Sequence, residues 1–339
     1  MKEVKIGIVG LGRLGYEHAR NIAFNIPNAK LVAICSLDKE LCEKLKNHWS
    51  IAYSFTNFKS MVELECLDAV VIASPSSLHL EHIELALKKN LHVFVDKPLG
   101  ITIEECKKAE SLVANHPNKI FMVGFMRRFD PSYAYAKKLI DEGAIGTPFL
   151  GKFISLDPEK KAKSVIPFLK SSGGIFIDMG VHDYDLIRWL LNSEVKEIYA
   201  IGGAYVHKEE YEQEGDCDNG CALLKLEKEK MAFLHVGRNA PHGYHIETEI
   251  TGTKGVLRIG NDPKKNLVTI YNDHGVLYES PEGFQERFKE AFLLELVEFI
   301  NCILECRSPS VGVADGTKST EIAFATTKAF KNKEVIKMV

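Results

Sequence analysis

The chain lacks any apolar run long enough to cross a bilayer: stretches such as the one ending at Ala73 are a fraction of the roughly 20 residues a spanning helix needs. A membrane partner is not expected on that count. No secretory signal pattern precedes the first strand-like segment, so a cytoplasmic location is expected. Also missing is a sustained run of Lys or Arg. With 43 basic against 46 acidic residues and a net charge of −3, no groove for a polyanion is expected, and nucleic acid drops out as a partner. The eight cysteines include no CxxC pair. Cys217 and Cys221, like Cys302 and Cys306, stand four apart with no histidine cluster beside them, so free thiols are expected rather than metal ligands or disulfides. Internal repeats, coiled-coil heptads and low-complexity linkers are absent as well.

What remains is a globular composition, 45% hydrophobic and 26% charged, on 339 residues, a length at which one core gives way to two. The first third alternates strand and helix signals. Apolar runs at 4–9, 30–35, 68–73, 91–95 and 120–124 read as strands. Between them lie helical patterns at 13–24, at Leu41, Leu45 and Trp49, at 79–89, and after the capping box Thr102-x-x-Glu105. This alternation predicts an α/β fold with a doubly wound parallel sheet, whose ligand crevice lies beyond the carboxyl ends of the strands. The turns at those ends carry the chemistry. The first reads Gly10-Leu11-Gly12-Arg13-Leu14-Gly15. In a dinucleotide-binding unit the first glycine permits the tight turn, the second lets backbone approach a pyrophosphate, and the third lets helix pack on strand; the phosphates then sit on the helix N-terminus. After the second strand come Ser36 and Asp38. Asp38 either meets the adenosine ribose or caps the following helix. No Arg or Lys occupies 35–38 to clamp a 2′-phosphate, although Arg13 and Lys39 are near, so NAD is favoured and NADP is not excluded. The remaining turns hold Ser74 and His79, Asp96-Lys97-Pro98-Leu99, and Phe125-Met126-Arg127-Arg128.

Beyond residue 124 the pattern changes, which predicts a Rossmann domain over 1–124 and a second domain over 125–339. Strand-like segments at 149–155, 197–203, 221–226, 232–238, 245–252, 255–259 and 267–272 point to an open, largely antiparallel sheet in an α/β domain. Helical patterns appear near 132–141, 283–305 and 315–331. Within 173–189, Asp178, His182 and Asp185 are spaced i, i+4, i+7 and are expected on one face of one helix. Histidine exchanges a proton near neutrality and a carboxylate four residues away can orient it, which suits removal of a hydroxyl proton as hydride leaves carbon; an inert local pair is the competing reading.

The glycine triplet, Asp96-Lys97-Pro98-Leu99, Gly124-Phe125-Met126-Arg127-Arg128 and Gly173-Gly174 leading to Asp178-x-x-x-His182 together resemble the Gfo/Idh/MocA oxidoreductase family across essentially the whole chain, and within it the myo-inositol 2-dehydrogenases most. The resemblance implies a Rossmann domain joined to an open-sheet domain, assembly into dimers or tetramers through sheet faces, and hydride transfer between NAD and a ring hydroxyl of a cyclitol or sugar. It further implies that Lys97 contacts the reacting oxygen and His182 is the general acid/base, with Asp178 binding substrate or relaying the proton. Met126 and Arg127 would border the nicotinamide, Ser74 and His79 the cofactor groove, and Asp96 would also contact the cofactor. Asp157 and Tyr244 would meet substrate. The chain departs from the family at three places: Asp96 replaces the usual Glu before Lys-Pro, Ser36 stands where Asp is common, and Ser155 replaces a histidine of some inositol dehydrogenases. Two other readings share this framework, an NAD-retaining sugar hydrolase or lyase and a non-enzymatic nucleotide-binding regulator, although a regulator is expected to lose the lysine that this chain keeps.

Overall fold

The computed structural model describes residues 3–169 and 173–338. The chain divides into two compact units, Met1–Phe129 with Glu290–Thr320, and Asp130–Lys289 with Glu321–Val339.

In the first unit six strands, β1 (Val4–Val9), β2 (Ala29–Cys35), β3 (Tyr53–Phe55), β4 (Ala69–Ile72), β5 (His92–Asp96) and β6 (Phe121–Gly124), form a sheet in the order β3-β2-β1-β4-β5-β6. Every neighbouring pair is parallel. The short apolar run AVVI of β4 is wholly buried, as a strand covered on both faces requires. Strand order reverses between β1 and β4, so the turns after these two strands flank the switch point where doubly wound sheets bind ligands. Helix starts follow local chemistry. Thr102 caps the helix Ile103–Ala114 by accepting from Glu105 N at 3.1 Å, and Glu105 reaches back to Ile101 N at 2.7 Å, one residue earlier than a simple capping box would.

One expectation needs correction here. The segment 290–320 packs with the first unit, not with 125–289. Leu296, Phe299 and Ile300 of the helix Lys289–Glu305 join Ile6, Ile8, Val71 and Phe94 in one core. Because the parallel sheet is apolar on both faces, it needs this extra helix as cover, and a sequence boundary drawn at a change of pattern cannot register a return of the chain. The helical pattern over 283–305 is likewise two helices, Phe284–Arg287 and Lys289–Glu305.

The second unit holds β7 (Pro148–Pro158), β8 (Val195–Gly203), β9 (Asn219–Leu226), β10 (Met231–Ala240), β11 (His245–Gly252) and β12 (Val256–Ile259), a separate hairpin of β13 (Ile270–Asn272) and β14 (Gly275–Leu277), and β15 (Ile336–Lys337). Its main sheet runs β12-β11-β7-β10-β9-β8-β15 and is antiparallel except at β7/β10. Alternation is plain in β9, where Gly220, Ala222, Leu224 and Leu226 are buried while Leu223 and Lys225 are exposed. No helix among the described residues is long and apolar enough to cross a membrane.

Candidate active site

The first unit brings its predicted residues to one sheet edge. Gly10 follows β1, Ser36 follows β2, Ser74 follows β4, Asp96 ends β5 with Lys97 next, and Met126 and Arg127 follow β6. The glycines differ in what they permit. Gly10 has φ +91, and a Cβ there would lie 2.2 Å from Ala73 O; a Cβ at Gly15 would lie 2.0 Å from Gly10 O. Gly12 has nothing within 4 Å of its would-be Cβ and caps the helix Arg13–Phe24 with no side-chain hydrogen bond. The result is a tight strand-to-helix turn around an open approach to a helix N-terminus, the shape a pyrophosphate needs. Arg13 is exposed and Leu14 half-buried beside it.

After β2, Asp38 Oδ1 accepts from Leu41 N at 2.9 Å, so the capping role is the one present, and Ser36 Oγ accepts from Asp38 N at 3.2 Å. Ser74 Oγ pairs with His82 Nδ1 at 3.0 Å. His79 is 1% exposed, and its ring nitrogens lie 2.8 Å from Pro98 O and 3.0 Å from Ser74 O, so the imidazole is spent on backbone instead of facing a groove. Burial pushes its pKa down, opposed by the Pro98 carbonyl and by Asp96. Asp96 Oδ1 lies 3.2 Å from Nε2 of buried His18. In the turn after β6, Met126 and Arg127 are buried, and Arg128 donates to Ser310 O and to Asp315 Oδ1, both at 3.0 Å.

In the second unit the expected single helix is two. Ile175–Asp178 ends at Asp178 and Val181–Leu191 begins after Gly180, so Asp178 stands at the end of one helix and His182 and Asp185 on the next. The junction requires glycine: a Cβ at Gly180 would lie 2.6 Å from Phe176 O and 3.0 Å from the Tyr184 ring. His182 and Asp185 are both buried near the start of the second helix. Asp178 has a partner that the helical spacing did not reveal. Arg238 on β10, 1% exposed, donates from Nη2 to Asp178 Oδ2 at 2.7 Å and has Nη1 3.7 Å from Asp157 Oδ2 on β7. Burial works against charge on Arg238, yet the two carboxylates outweigh it and its pKa lies above the ordinary value. Strand parity held a signal for this arginine: it falls in the same register as Ala232, Leu234 and Val236, the buried positions of β10, where an unpaired charge is untenable. Ser155, buried on β7, donates to both carboxylate oxygens of Asp183 at 2.9 and 2.8 Å, so the residue replacing a histidine belongs to a buried pair. Tyr244 is buried, with its N–H on Pro281 O at 3.0 Å and its ring edge-on to Phe288.

Residues 4–125 match the oxidoreductase family with an NAD-binding Rossmann fold, and residues 133–258 match the GFO/IDH/MocA C-terminal domain. The chain belongs to the Gfo/Idh/MocA oxidoreductase family. It is 36% identical to the scyllo-inositol 2-dehydrogenase (NAD(+)) of Bacillus subtilis, over 97% of this chain and 95% of that one. Among solved structures it resembles scyllo-inositol dehydrogenase from Lactobacillus casei with bound cofactor NAD(H) and scyllo-inositol, at 44% identity, 99% coverage of both chains and TM-score 0.95. It also resembles myo-inositol 2-dehydrogenase from Lactobacillus plantarum, at 38% identity, full coverage of both chains and TM-score 0.96.

Proposed function

We propose that this chain oxidises a ring hydroxyl of a cyclitol with NAD, in the manner of the inositol 2-dehydrogenases. The observation that carries the reading is its likeness, over 99% of both chains, to a dehydrogenase crystallised with NAD(H) and scyllo-inositol. The turn of Gly10, Gly12 and Gly15 fits the cofactor, since a Cβ at the first or third glycine would strike backbone while the second leaves an open approach. Gly12, Arg13 and Leu14 would hold the phosphates at the helix start, with Ser36 and Asp38 toward the adenosine and Met126 and Arg127 toward the nicotinamide. Bound NAD supplies the hydride acceptor.

The chain's own residues manage the proton and the substrate. Lys97 donates a hydrogen bond to the reacting oxygen, and His182 takes the hydroxyl proton at its imidazole as hydride departs. Asp178 accepts from a neighbouring substrate hydroxyl, with Asp157 and Tyr244 as further contacts. Of the two roles first open to Asp178, substrate binding is favoured over proton relay: protonating it would strip buried Arg238 of its closest partner. We also assign a cytoplasmic homo-oligomer, dimer or tetramer. Supporting this, Tyr199, Ile201 and Leu223 are exposed side by side on the outer face of β8 and β9, and Cys306 is an exposed free thiol suited to a reducing compartment.

The direct test offers scyllo-inositol, myo-inositol and common aldoses with NAD and NADP separately and follows NADH absorbance. Net NADH with an inositol is expected, and the absence of any cyclitol-dependent NADH sinks the reading. His182→Ala is expected to lower kcat and erase one limb of the pH–rate profile; an unaltered profile removes His182 from the acid/base role.

A further inference from the structure

Lys97 stands between two residues that are each gripped by a buried histidine. On its N-terminal side, Asp96 Oδ1 lies 3.2 Å from His18 Nε2. His18 comes from the helix Arg13–Phe24, is fully buried, and is wedged edgewise against Phe94 and Phe292 at ring separations of 5.6 and 5.9 Å. On the C-terminal side, Pro98 O lies 2.8 Å from His79 Nδ1, and the other nitrogen of that ring lies 3.0 Å from Ser74 O. The imidazole thus sits between the turns after β4 and β5; its neutral form has one N–H to donate, and the shorter contact assigns it to Pro98 O. Burying two imidazoles costs free energy that aliphatic side chains in the same places would not, so packing alone does not account for them. The shortest polar contact of each falls on a residue immediately before or after a single lysine.

We propose that His18 and His79 are positioning residues for Lys97, fixing the Asp96 side chain before it and the Pro98 carbonyl after it so that its ammonium meets the reacting oxygen in one fixed geometry. The proposal rests on the reading above that Lys97 contacts that oxygen. A displacement of about 1 Å at a reacting group lowers turnover about a hundredfold without weakening binding of the rest of the substrate, and a second tier of hydrogen bonds is what prevents such drift. Each histidine acts through a particular nitrogen, Nε2 at residue 18 and Nδ1 at residue 79. Glutamine places its amide nitrogen near the position of Nε2 and asparagine near that of Nδ1, so the two polar substitutions separate the contacts.

The experiment makes His18→Gln, His18→Asn, His79→Asn and His79→Gln in the full chain, with Lys97→Met as a control, and measures kcat, KM for inositol and NAD, and NADH affinity by fluorescence. A crossed pattern is expected. His18→Gln and His79→Asn keep kcat within about threefold, whereas His18→Asn and His79→Gln lose about ten- to a hundredfold, with KM and NADH affinity within about twofold throughout. Equal kcat in the two variants at either position overturns the proposal, as does a loss of NADH affinity parallel to the loss of kcat. Lys97→Met is expected to be inactive while still binding NADH. If it turns over normally, the role of Lys97 itself is refuted and the positioning role falls with it; an inactive Lys97→Met beside an uncrossed pattern refutes positioning alone.

Discussion

At the carboxyl edge of the parallel sheet the nucleotide turn is made by backbone: Gly10 and Gly15 leave no room for a Cβ, and Gly12 leaves its surroundings open. In the second unit, two of the predicted substrate residues are set by buried charge, with Arg238 approaching both Asp178 and Asp157, and Ser155 separately holds Asp183. The first arrangement depends on shape and is indifferent to net charge. The second tolerates modest changes of shape but not the loss of a charge, because the surviving partners lose their compensation. Substitutions in the two regions should therefore fail in different ways.

The largest effect is expected at Arg238. Arg238→Met keeps much of the volume and deletes the guanidinium that Asp178 and Asp157 both approach. Turnover is expected to fall at least about a hundredfold, and folding stability by about 1 kcal/mol, less than for a fully buried pair because the surviving carboxylates are partly exposed. Steady-state kinetics and denaturant unfolding read both. Turnover within twofold of the unmodified enzyme would mean that Asp178 is not held where the chemistry needs it by this arginine.

The same contrast explains what was legible in the sequence. The glycine turn, the alternating elements and the capping residues Asp38 and Thr102 are local: each is written within a few residues, and all stand where the spacing places them. Arg238 lies 60 residues from Asp178, and only the pairing of β10 with β7 and their cover by the helices at 175–191 brings the two together. Spacing along one helix could not reveal Arg238 as a partner of Asp178, because that contact is made by a distant strand. The return of 290–320 to the first core is hidden for a similar reason. An apolar helical stripe says that it will be buried, not against which sheet.

A smaller and cleaner separation is expected among the glycines. Gly12→Ala adds a methyl where nothing lies within 4 Å, so its melting temperature should match the unmodified protein while NADH affinity falls about tenfold, or about 1.4 kcal/mol of binding. Gly10→Ala forces a left-handed φ on alanine and a clash with Ala73 O, so it should lose about 1–3 kcal/mol of stability as well. Equal melting temperatures for the two variants would show that the turn is not constrained by shape. Glu295 offers a control in which an ionisable group sits inside the first unit. Its carboxyl is fully buried, 3.9 Å from His18 Nε2, and burial followed by the charge of Asp96 pushes its pKa well above the usual range. A raised folded-state value means stability is present below the unfolded pKa and is lost as pH rises through the folded one, at up to about 1.4 kcal/mol per pH unit. Glu295→Gln cannot ionise, so its stability relative to the unmodified protein should grow from pH 5 to pH 9. A constant difference across that range would show that Glu295 has no raised pKa.

The smallest effect tests the one acid proposed to meet the adenosine at the glycine-built edge. Asp38 caps the helix Lys39–Trp49 through Leu41 N, and the proposed function also gives it an adenosine contact. Serine keeps an oxygen for the cap and removes the charge, whereas alanine removes both. Asp38→Ala should lose about 1 kcal/mol of stability and Asp38→Ser very little, while both should lower the kcat/KM ratio of NAD over NADP by about fivefold, because the carboxylate is what repels a 2′-phosphate. If serine preserves the cofactor ratio as well as the stability, Asp38 serves the helix alone, and the discrimination between NAD and NADP rests on the backbone and hydroxyl groups around Ser36.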